Sequence, residues 1–365
     1  MRIAFFADSY KPYISGVTIS IETLTAELRA LGHRVYIFAP SYPGYVDLDQ
    51  DVIRFPSIPT TYPKFRISIP YLKNIPEVDV IHSHTPFQTG LLARYLARKK
   101  KIPLVYTFHT LFTRYMHYAA FLPEKFSKLA MTSYLRMFCR RTDLIITPSE
   151  MSKRVLRKWK INQNCIVVPT GIAIPQQVRN GAARTKLGIP QDAKVLVYLG
   201  RISLEKNIPF ILEAFEKLRN ENIFLLLIGG GPMLAELKQR HIKNVIFAGE
   251  LPHDAAVECL SAGDIFVFAS KTETQGLLLA EAKAAGLPIV SLFAGGLVDT
   301  VQSGVDGYLT ERNITSFVAH VDRLLIDDGL RKKMGAAALL DAKERFRSHT
   351  IAKRMESIYN SLIKK

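Results

Sequence analysis

Short apolar runs alternate along the chain with helix-length amphipathic stretches. In the first half the runs read RIAFFAD, HRVYIFAP, DVIHSH, PLVYTFH, DLIITPS and CIVVPTGI; in the second, KVLVYLGR, IFLLLIGGGP, VIFAGEL, IFVFAS and LPIVSL. Runs of this kind separated by helices are the pattern of parallel α/β sheets. Between the first two runs, SIETLTAELRALGH puts Ile21, Leu24, Leu28 and Leu31 at helical spacing, and Gly32 supplies the stop. The pattern breaks over residues 173–193, a stretch rich in Pro, Gly, Gln and Asn, so the linker is expected there, with a helical turn beginning near Ala182. Two doubly wound halves follow: residues 1–178, with a C-terminal helix at 350–365 packing back on them, and residues 179–349.

In an open parallel sheet, ligands bind beyond the carboxyl ends of the strands. That rule selects Ser9 to Gly16, His82 to Pro86 and His109 to Tyr118 in the first half. In the second it selects Gly200 to Asn207, Gly229 to Gly231, Gly249 to Pro252 and Ser270 to Glu281. If the halves face each other, these loops line one cleft.

Composition narrows the class. At 365 residues and 48% hydrophobic content the chain has enough apolar material for two cores. Its longest apolar stretches are cut by glycines or by Glu281 and Lys283, so a membrane-spanning helix is not expected. MRIAFFADSY places Asp8 where a signal peptide needs an apolar core, and reads instead as a first buried strand. Cys139, Cys165 and Cys259 form no CxxC pair, which fits a reducing cytoplasm. The charge is lopsided. Residues 1–180 carry 25 Lys and Arg against 11 Asp and Glu, a net of +14, whereas the remainder carries 24 against 21, a net of +3. A basic half points to an anionic surface, nucleic acid or an acidic leaflet, although a merely cationic soluble protein would look similar.

Three segments carry candidate chemistry. In DSYKPYISGV, Gly16 opens a helix whose N–H groups suit a phosphate, though the spacing is not GxGxxG and a structural turn reads the same. In LGRISLEKN, Arg201 and Lys206 stand at a strand end, where two cations neutralise a diphosphate leaving group; a solvated loop is the alternative. In SKTETQGLLLAEAKAAGLPIVS, Glu273 and Glu281 bracket a turn at Gly276 that opens a helix. Free N–H groups there face phosphate oxygens, and each carboxylate can accept two hydroxyls, one set from a sugar and one from a ribose. Asp47-Leu-Asp49 has a metal-holding form but lies in a polar loop, and is set aside. His82 and His84 lack a third ligand nearby in sequence, so zinc is not expected.

These motifs resemble the retaining glycosyltransferases of family four, which have the GT-B fold of two Rossmann-like domains with parallel sheets facing across a cleft. The likeness runs through Pro12 to Val17, HSHTPF, TFHT, GR…EKN, GGGP and the two glutamates eight residues apart. It implies donor contacts from Gly16, Val17, Arg201, Lys206, Gly230, Leu251, Glu273, Gly276, Leu277, Leu278 and Glu281. Glu273 falls to the transferred sugar, Glu281 to the ribose, and His109 lies beside sugar and acceptor. It implies a UDP-sugar co-substrate and no essential metal or other cofactor.

Within the family the chain is similar to bacterial 1,2-diacylglycerol 3-alpha-glucosyltransferases, through TETQG, TFHTLFTRYMHY and the basic first half. That likeness implies UDP-glucose, diacylglycerol and anionic membrane lipids as partners, and a place on the inner face of the cell membrane. His84, Tyr115, His117 and Tyr118 are the candidates for an acceptor mouth, His117 reading equally well as an ordinary helix residue. For the membrane the candidate is KFSKLAMTSYLRMFCRR, with Lys125, Lys128, Arg136, Arg140 and Arg141 as cations and Phe126, Leu129, Leu135, Met137 and Phe138 as apolar groups. Residues 60–73 are a second candidate; a packed Rossmann helix and a surface loop are the plainer alternatives. Rival readings are another acceptor (phosphatidylinositol, another lipid or a soluble sugar), a nucleotide-sugar binder without catalysis, and a nucleic-acid-binding Rossmann protein. The last lacks interleaved aromatic RNA motifs and leaves both glutamates unexplained, so no specific nucleic acid is expected.

Overall fold

A computed structural model describes residues 1–60, 66–71, 75–114, 123–175, 181–219 and 222–364. The chain divides into two compact units, Met1–Gly171 with Ser348–Lys365, and Ile172–Arg347.

Unit 1 contains β1 (Arg2–Phe6), α1 (Gly16–Ala30), β2 (Arg34–Pro40), β3 (Val52–Phe55), β4 (Ser57–Pro59), β5 (Arg66–Ser68), β6 (Val80–Ser83) and α2 (Gln88–Lys100). It continues with β7 (Leu104–Thr107), α3 (Glu124–Cys139), β8 (Leu144–Thr147), α4 (Glu150–Lys158) and β9 (Cys165–Val167). Its sheet is parallel in the order β3-β2-β1-β6-β7-β8-β9, with β4 and β5 as a separate antiparallel pair. Alternate residues of β1 serve opposite faces: Ile3 and Phe5 join one core, Ala4 and Phe6 another.

Unit 2 contains α5 (Gly181–Lys186), β10 (Lys194–Leu199), α6 (Ile208–Glu216), β11 (Ile223–Ile228), α7 (Leu234–Lys238), β12 (Val245–Gly249), α8 (His253–Cys259) and β13 (Ile265–Phe268). After these come α9 (Leu277–Ala284), β14 (Ile289–Leu292), β15 (Gly307–Thr310), α10 (Ile314–Ile326) and α11 (Asp328–Arg345). Its sheet is parallel in the order β12-β11-β10-β13-β14-β15. In each sheet the strand order reverses beside the first strand, between β1 and β6 and between β10 and β13. The carboxyl ends of those pairs are the switch points where such folds bind ligands.

The last helix, α12 (Ser348–Ile363), belongs to unit 1. Ile351, Met355 and Tyr359 recur every four residues and are buried with Ile21 and Leu28 of α1. Ser348 donates to Glu27 Oε1 at 2.5 Å, and His33 meets Glu356 at 2.8 Å.

Two expectations need correction. The division falls at Gly171/Ile172, not 178/179, because Ile172 is already part of unit 2: its N–H donates to Phe346 O (2.7 Å) and it packs with Ala280, Ala284 and Ala342. Strands β3, β4, β5 and β15 were not in the apolar pattern. VIRF is a half-buried edge strand, and GYLT begins on a glycine whose added Cβ would lie 2.2 Å from Ile289 O.

Candidate active site

In unit 2 the turn after β10 is held by backbone touching backbone. A Cβ on Gly229 would sit 2.1 Å from Gly200 O and one on Gly231 2.2 Å from Ile202 O, and both glycines have positive φ. Gly200 N donates to Ile228 O (2.9 Å) and Ile202 N to Gly230 O (2.8 Å). This fixes the point at which Arg201, exposed, leaves the sheet. A single 3₁₀ turn, Leu204–Lys206, then delivers Lys206 to Glu273, with Nζ 2.5 Å from Oε1 and both side chains largely enclosed.

Glu273 follows β13 in a loop that ends at Gly276, whose left-handed φ of 83° starts α9 with no side chain capping it. The loop is pinned from behind by a Gly-Gly pair that sequence reading missed. Gly296 N donates to Glu273 O (2.9 Å), and a Cβ on Gly295 or Gly296 would lie 2.4 Å from Glu273 O or 2.0 Å from Thr274 O. Thr300 Oγ1 donates to Gln275 O at 2.5 Å. Leu278 packs over Gly200, where an added Cβ would lie 2.8 Å from Leu278 Cδ1, so the Arg201 turn and the start of α9 meet. Leu277 and Leu251 are partly buried, and Gly230 lies against Glu250.

Glu281 is buried in α9. Its Oε1 lies 3.5 Å from His253 Nε2, while Oε2 has no hydrogen-bond partner. Burial pushes its pKa up to about 8, so the unliganded group holds a proton at neutral pH. An enclosed carboxyl with an open oxygen is fitted to a ligand hydroxyl. The sequence found Glu281 by its spacing but gave no sign of His253.

In unit 1, Gly16 is the first residue of α1, and Ser15 caps it by accepting from Thr18 N at 3.2 Å. A Cβ on Gly16 would meet nothing, so the protein itself leaves this helix start open; Val17 is partly exposed. Asp8, at the end of β1, is buried and ties down the β6–α2 loop, accepting from Thr85 Oγ1 (2.7 Å) and Thr89 N (2.9 Å). Burial raises its pKa.

His84 lies 3.0 Å from His109, joining two strand-end loops that sequence spacing could not link. Among the described residues, no group of three or more His, Cys, Asp or Glu is arranged to hold a metal ion. Asp47 and Asp49 are occupied otherwise. Asp47 takes both arms of Arg54 (2.7 and 2.6 Å), and Asp49 pairs with Arg29 at 2.7 Å.

Several expected positions change meaning. His84 is only 3% exposed, its ring stacked between His82 and His109. Arg136 turns inward, its Nε donating to Trp159 O at 2.7 Å. Leu135 and Phe138 are core residues, since α3 buries one stripe against Tyr106 and Phe108. The exposed apolar face of α3 is instead Phe126, Leu129 and Met137, at 65%, 60% and 45% exposure, with Lys125, Arg140 and Arg141 exposed and Lys128 partly so. Tyr115, His117 and Tyr118 lie outside the described residues. So do parts of the 60–73 stretch. Among the described residues, no helix is long and apolar enough to cross a membrane.

Burial lowers the pKa of His82 to about 3, of His109 to about 4, and of His84 well below its usual value. Unfolded histidines bind protons near 6.5, so between that pH and the folded values the unfolded chain holds more protons. Stability from this cluster is present above 6.5 and lost as pH falls. The midpoint of thermal unfolding should therefore drop between pH 6.5 and 5, and less so in a His82→Gln variant; equal profiles would refute the assignment.

Residues 14–174 match the family model described as Glycosyltransferase Family 4, and residues 180–340 that of Glycosyl transferases group 1. The chain is 36% identical to an alpha-monoglucosyldiacylglycerol synthase of Streptococcus pneumoniae, over 80% of this chain and 71% of that protein. It is 30% identical to the enzyme of that name from Acholeplasma laidlawii, over 100% and 98%. HepE from Anabaena, solved with UDP and glucose, superposes with a TM-score of 0.76 at 19% identity, over 99% of this chain and all of that one. With two parallel-sheet α/β units, each carrying its loops at a switch point, the chain belongs to the family-four glycosyltransferases of the GT-B fold.

Proposed function

We propose that this glycosyltransferase moves glucose from UDP-glucose to the 3-hydroxyl of 1,2-diacylglycerol, with retained α configuration, at the inner face of the cell membrane. The observation that carries the reading is the 30% identity, over nearly full length of both proteins, to an alpha-monoglucosyldiacylglycerol synthase. UDP and glucose in HepE support the donor.

In this reading unit 2 holds the donor. Arg201, Lys206 and the uncapped start of α9 at Gly276, Leu277 and Leu278 meet the diphosphate; Glu273 takes the sugar and Glu281 the ribose, with Gly230 and Leu251 flanking the nucleotide. Fixed cations stabilise the charge that develops as the diphosphate leaves. Its oxygen takes the acceptor's proton on the face from which it departs, which gives retention. No metal is needed, since cations and backbone N–H groups meet that charge. Gly16, Val17 and His109 keep the roles that the family likeness implies, and they belong to unit 1. Its exposed Phe126, Leu129 and Met137, beside Lys125, Lys128, Arg140 and Arg141, suit an anionic leaflet. Leu91 and Tyr95 of α2, also exposed, extend the same chemistry next to Arg94 and Arg98.

The test is transfer of labelled glucose from UDP-glucose into chloroform-soluble product, in EDTA, using mixed micelles of diacylglycerol with or without phosphatidylglycerol. The expected product is an alkali-labile, α-glucosidase-sensitive glycolipid whose yield rises with phosphatidylglycerol. Release of UDP and free glucose without lipid product would overturn the acceptor. Neither signal would overturn the donor as well.

A further inference from the structure

A cavity of about 810 Å³ opens on unit 1 beside Leu104, Asp143 and Asn164, which stand at the amino ends of β7, β8 and β9. That volume lies within the roughly 300–1,000 Å³ of small-molecule sites. Chemistry in parallel sheets gathers at the carboxyl ends, so the transfer reaction leaves this cavity unused.

Its walls are cationic. Arg94, Arg98 and Lys101 follow one another at helical spacing along one face of α2 and its cap, and Arg141 comes from the turn after α3. Arg94 Nη1 donates to Met137 O at 3.1 Å, which ties α2 to α3. Among the described residues, Asp143 is the one acid of the lining, and its Oδ2 already accepts from Leu104 N at 2.7 Å. Arg98, Lys101 and Arg141 are exposed and, among the described residues, make no hydrogen bond or ion pair.

A helix C-terminus favours cations, which accounts for Arg98 and its neighbours in the last turn of α2. It does not account for Arg141, which arrives from another segment. Lys101 takes a left-handed φ of 54° at a cap position that glycine usually fills. Like charges gathered in one concavity repel one another until an anion joins them. Around the cations lie exposed apolar groups, Leu91 and Tyr95 of α2 and Ile363 of α12. An aliphatic rim does nothing for a nucleic acid backbone, whereas it suits the acyl chains behind a lipid phosphate.

We propose that this cavity binds the phosphodiester headgroup of an anionic phospholipid, as a discrete site that the transfer reaction does not use. The inference rests on the proposed contact with an anionic leaflet and names where that contact is made. The three arginines offer planar forks to the phosphate oxygens, Lys101 adds a point charge, and the apolar rim meets the chains.

Sedimentation of the full chain with phosphatidylcholine vesicles, with and without phosphatidylglycerol, tests it at fixed salt. Arg98→Gln/Arg141→Gln is compared with Lys332→Gln/Lys333→Gln, which removes the same charge from exposed positions on α11. Wild type should bind the phosphatidylglycerol vesicles alone. The cavity variant should lose about thirtyfold in affinity, the scale of two cations at an anionic surface, and the control no more than about twofold. Glycerophosphoglycerol, the water-soluble headgroup, should displace wild type better than sodium chloride of equal ionic strength, a measurement that needs no variant to fold. Cavity-variant binding equal to wild type, or a loss that the control shares, overturns the site and leaves the leaflet reading standing. So does displacement by salt as effective as by the headgroup, the mark of diffuse screening. Wild type that ignores both vesicles overturns leaflet and site together. If it then still binds the soluble headgroup, the cavity takes a free phosphate compound and not a lipid.

Discussion

Replacing Lys206 with alanine is expected to lower turnover by roughly a hundred- to a thousand-fold, the scale on which removal of one preorganised donor to developing charge acts. Two features make Lys206 the position to test. It is held by its own turn and by Glu273 at 2.5 Å, so its charge is in place before any donor arrives. It is also largely enclosed, which strengthens its action on a phosphate. Glu273→Ala should also cut turnover severely, because it removes a sugar ligand and releases Lys206 from its anchor. The double variant should then be little worse than the weaker single one, since the two side chains act as a unit. Initial rates at saturating UDP-glucose and diacylglycerol decide the matter. Near-normal turnover in either single variant removes that residue from the site.

The largest loss of stability is expected from Lys283→Met. Lys283 is completely buried in α9, and its Nζ reaches Thr300 O (2.8 Å), Asp306 Oδ2 (2.7 Å) and Asp341 Oδ2. Removing the cation leaves two carboxylates facing each other away from water, and breaking a buried pair from one side costs about 3–5 kcal/mol. Gln302 and Arg345 keep partial hold on Asp341, so adding Asp306→Asn should recover part of the loss. Denaturant unfolding measures both. A loss under about 1 kcal/mol would mean that the two acids find other partners, against the expected penalty. The effect also reaches the site: Lys283 holds Thr300 O, and Thr300 Oγ1 holds Gln275 O in the loop between Glu273 and Gly276.

Much of unit 2's candidate site was legible in the chain because its residues are local. Arg201 and Lys206 lie five apart after one strand, and Glu273, Gly276 and Glu281 lie within one strand–turn–helix. What the sequence did not reveal came from other segments. His253 was an unremarked residue of LPHDAAVE until it met Glu281, and Gly295–Gly296 was an ordinary glycine pair until it pressed on Glu273 and Thr274. On α3 the composition was read correctly as basic and apolar, but not its division into faces. Which of Phe126, Leu135 and Phe138 are buried depends on where the sheet lies, and helical periodicity does not say that.

The apolar rhythm of the chain determined its strands, its helices and its two-fold doubling, because backbone hydrogen bonding and burial act locally and repeat. It also determined which loops follow strand ends, the positions at which open parallel sheets bind ligands. Tertiary structure alone decided the pairings: Lys206 with Glu273, His84 with His109, Lys283 with two aspartates, Asp47 with Arg54 and Asp49 with Arg29. A charge or a ring nitrogen acts over a few ångströms, and residues far apart in sequence come within that range only when strand order and helix packing bring them there.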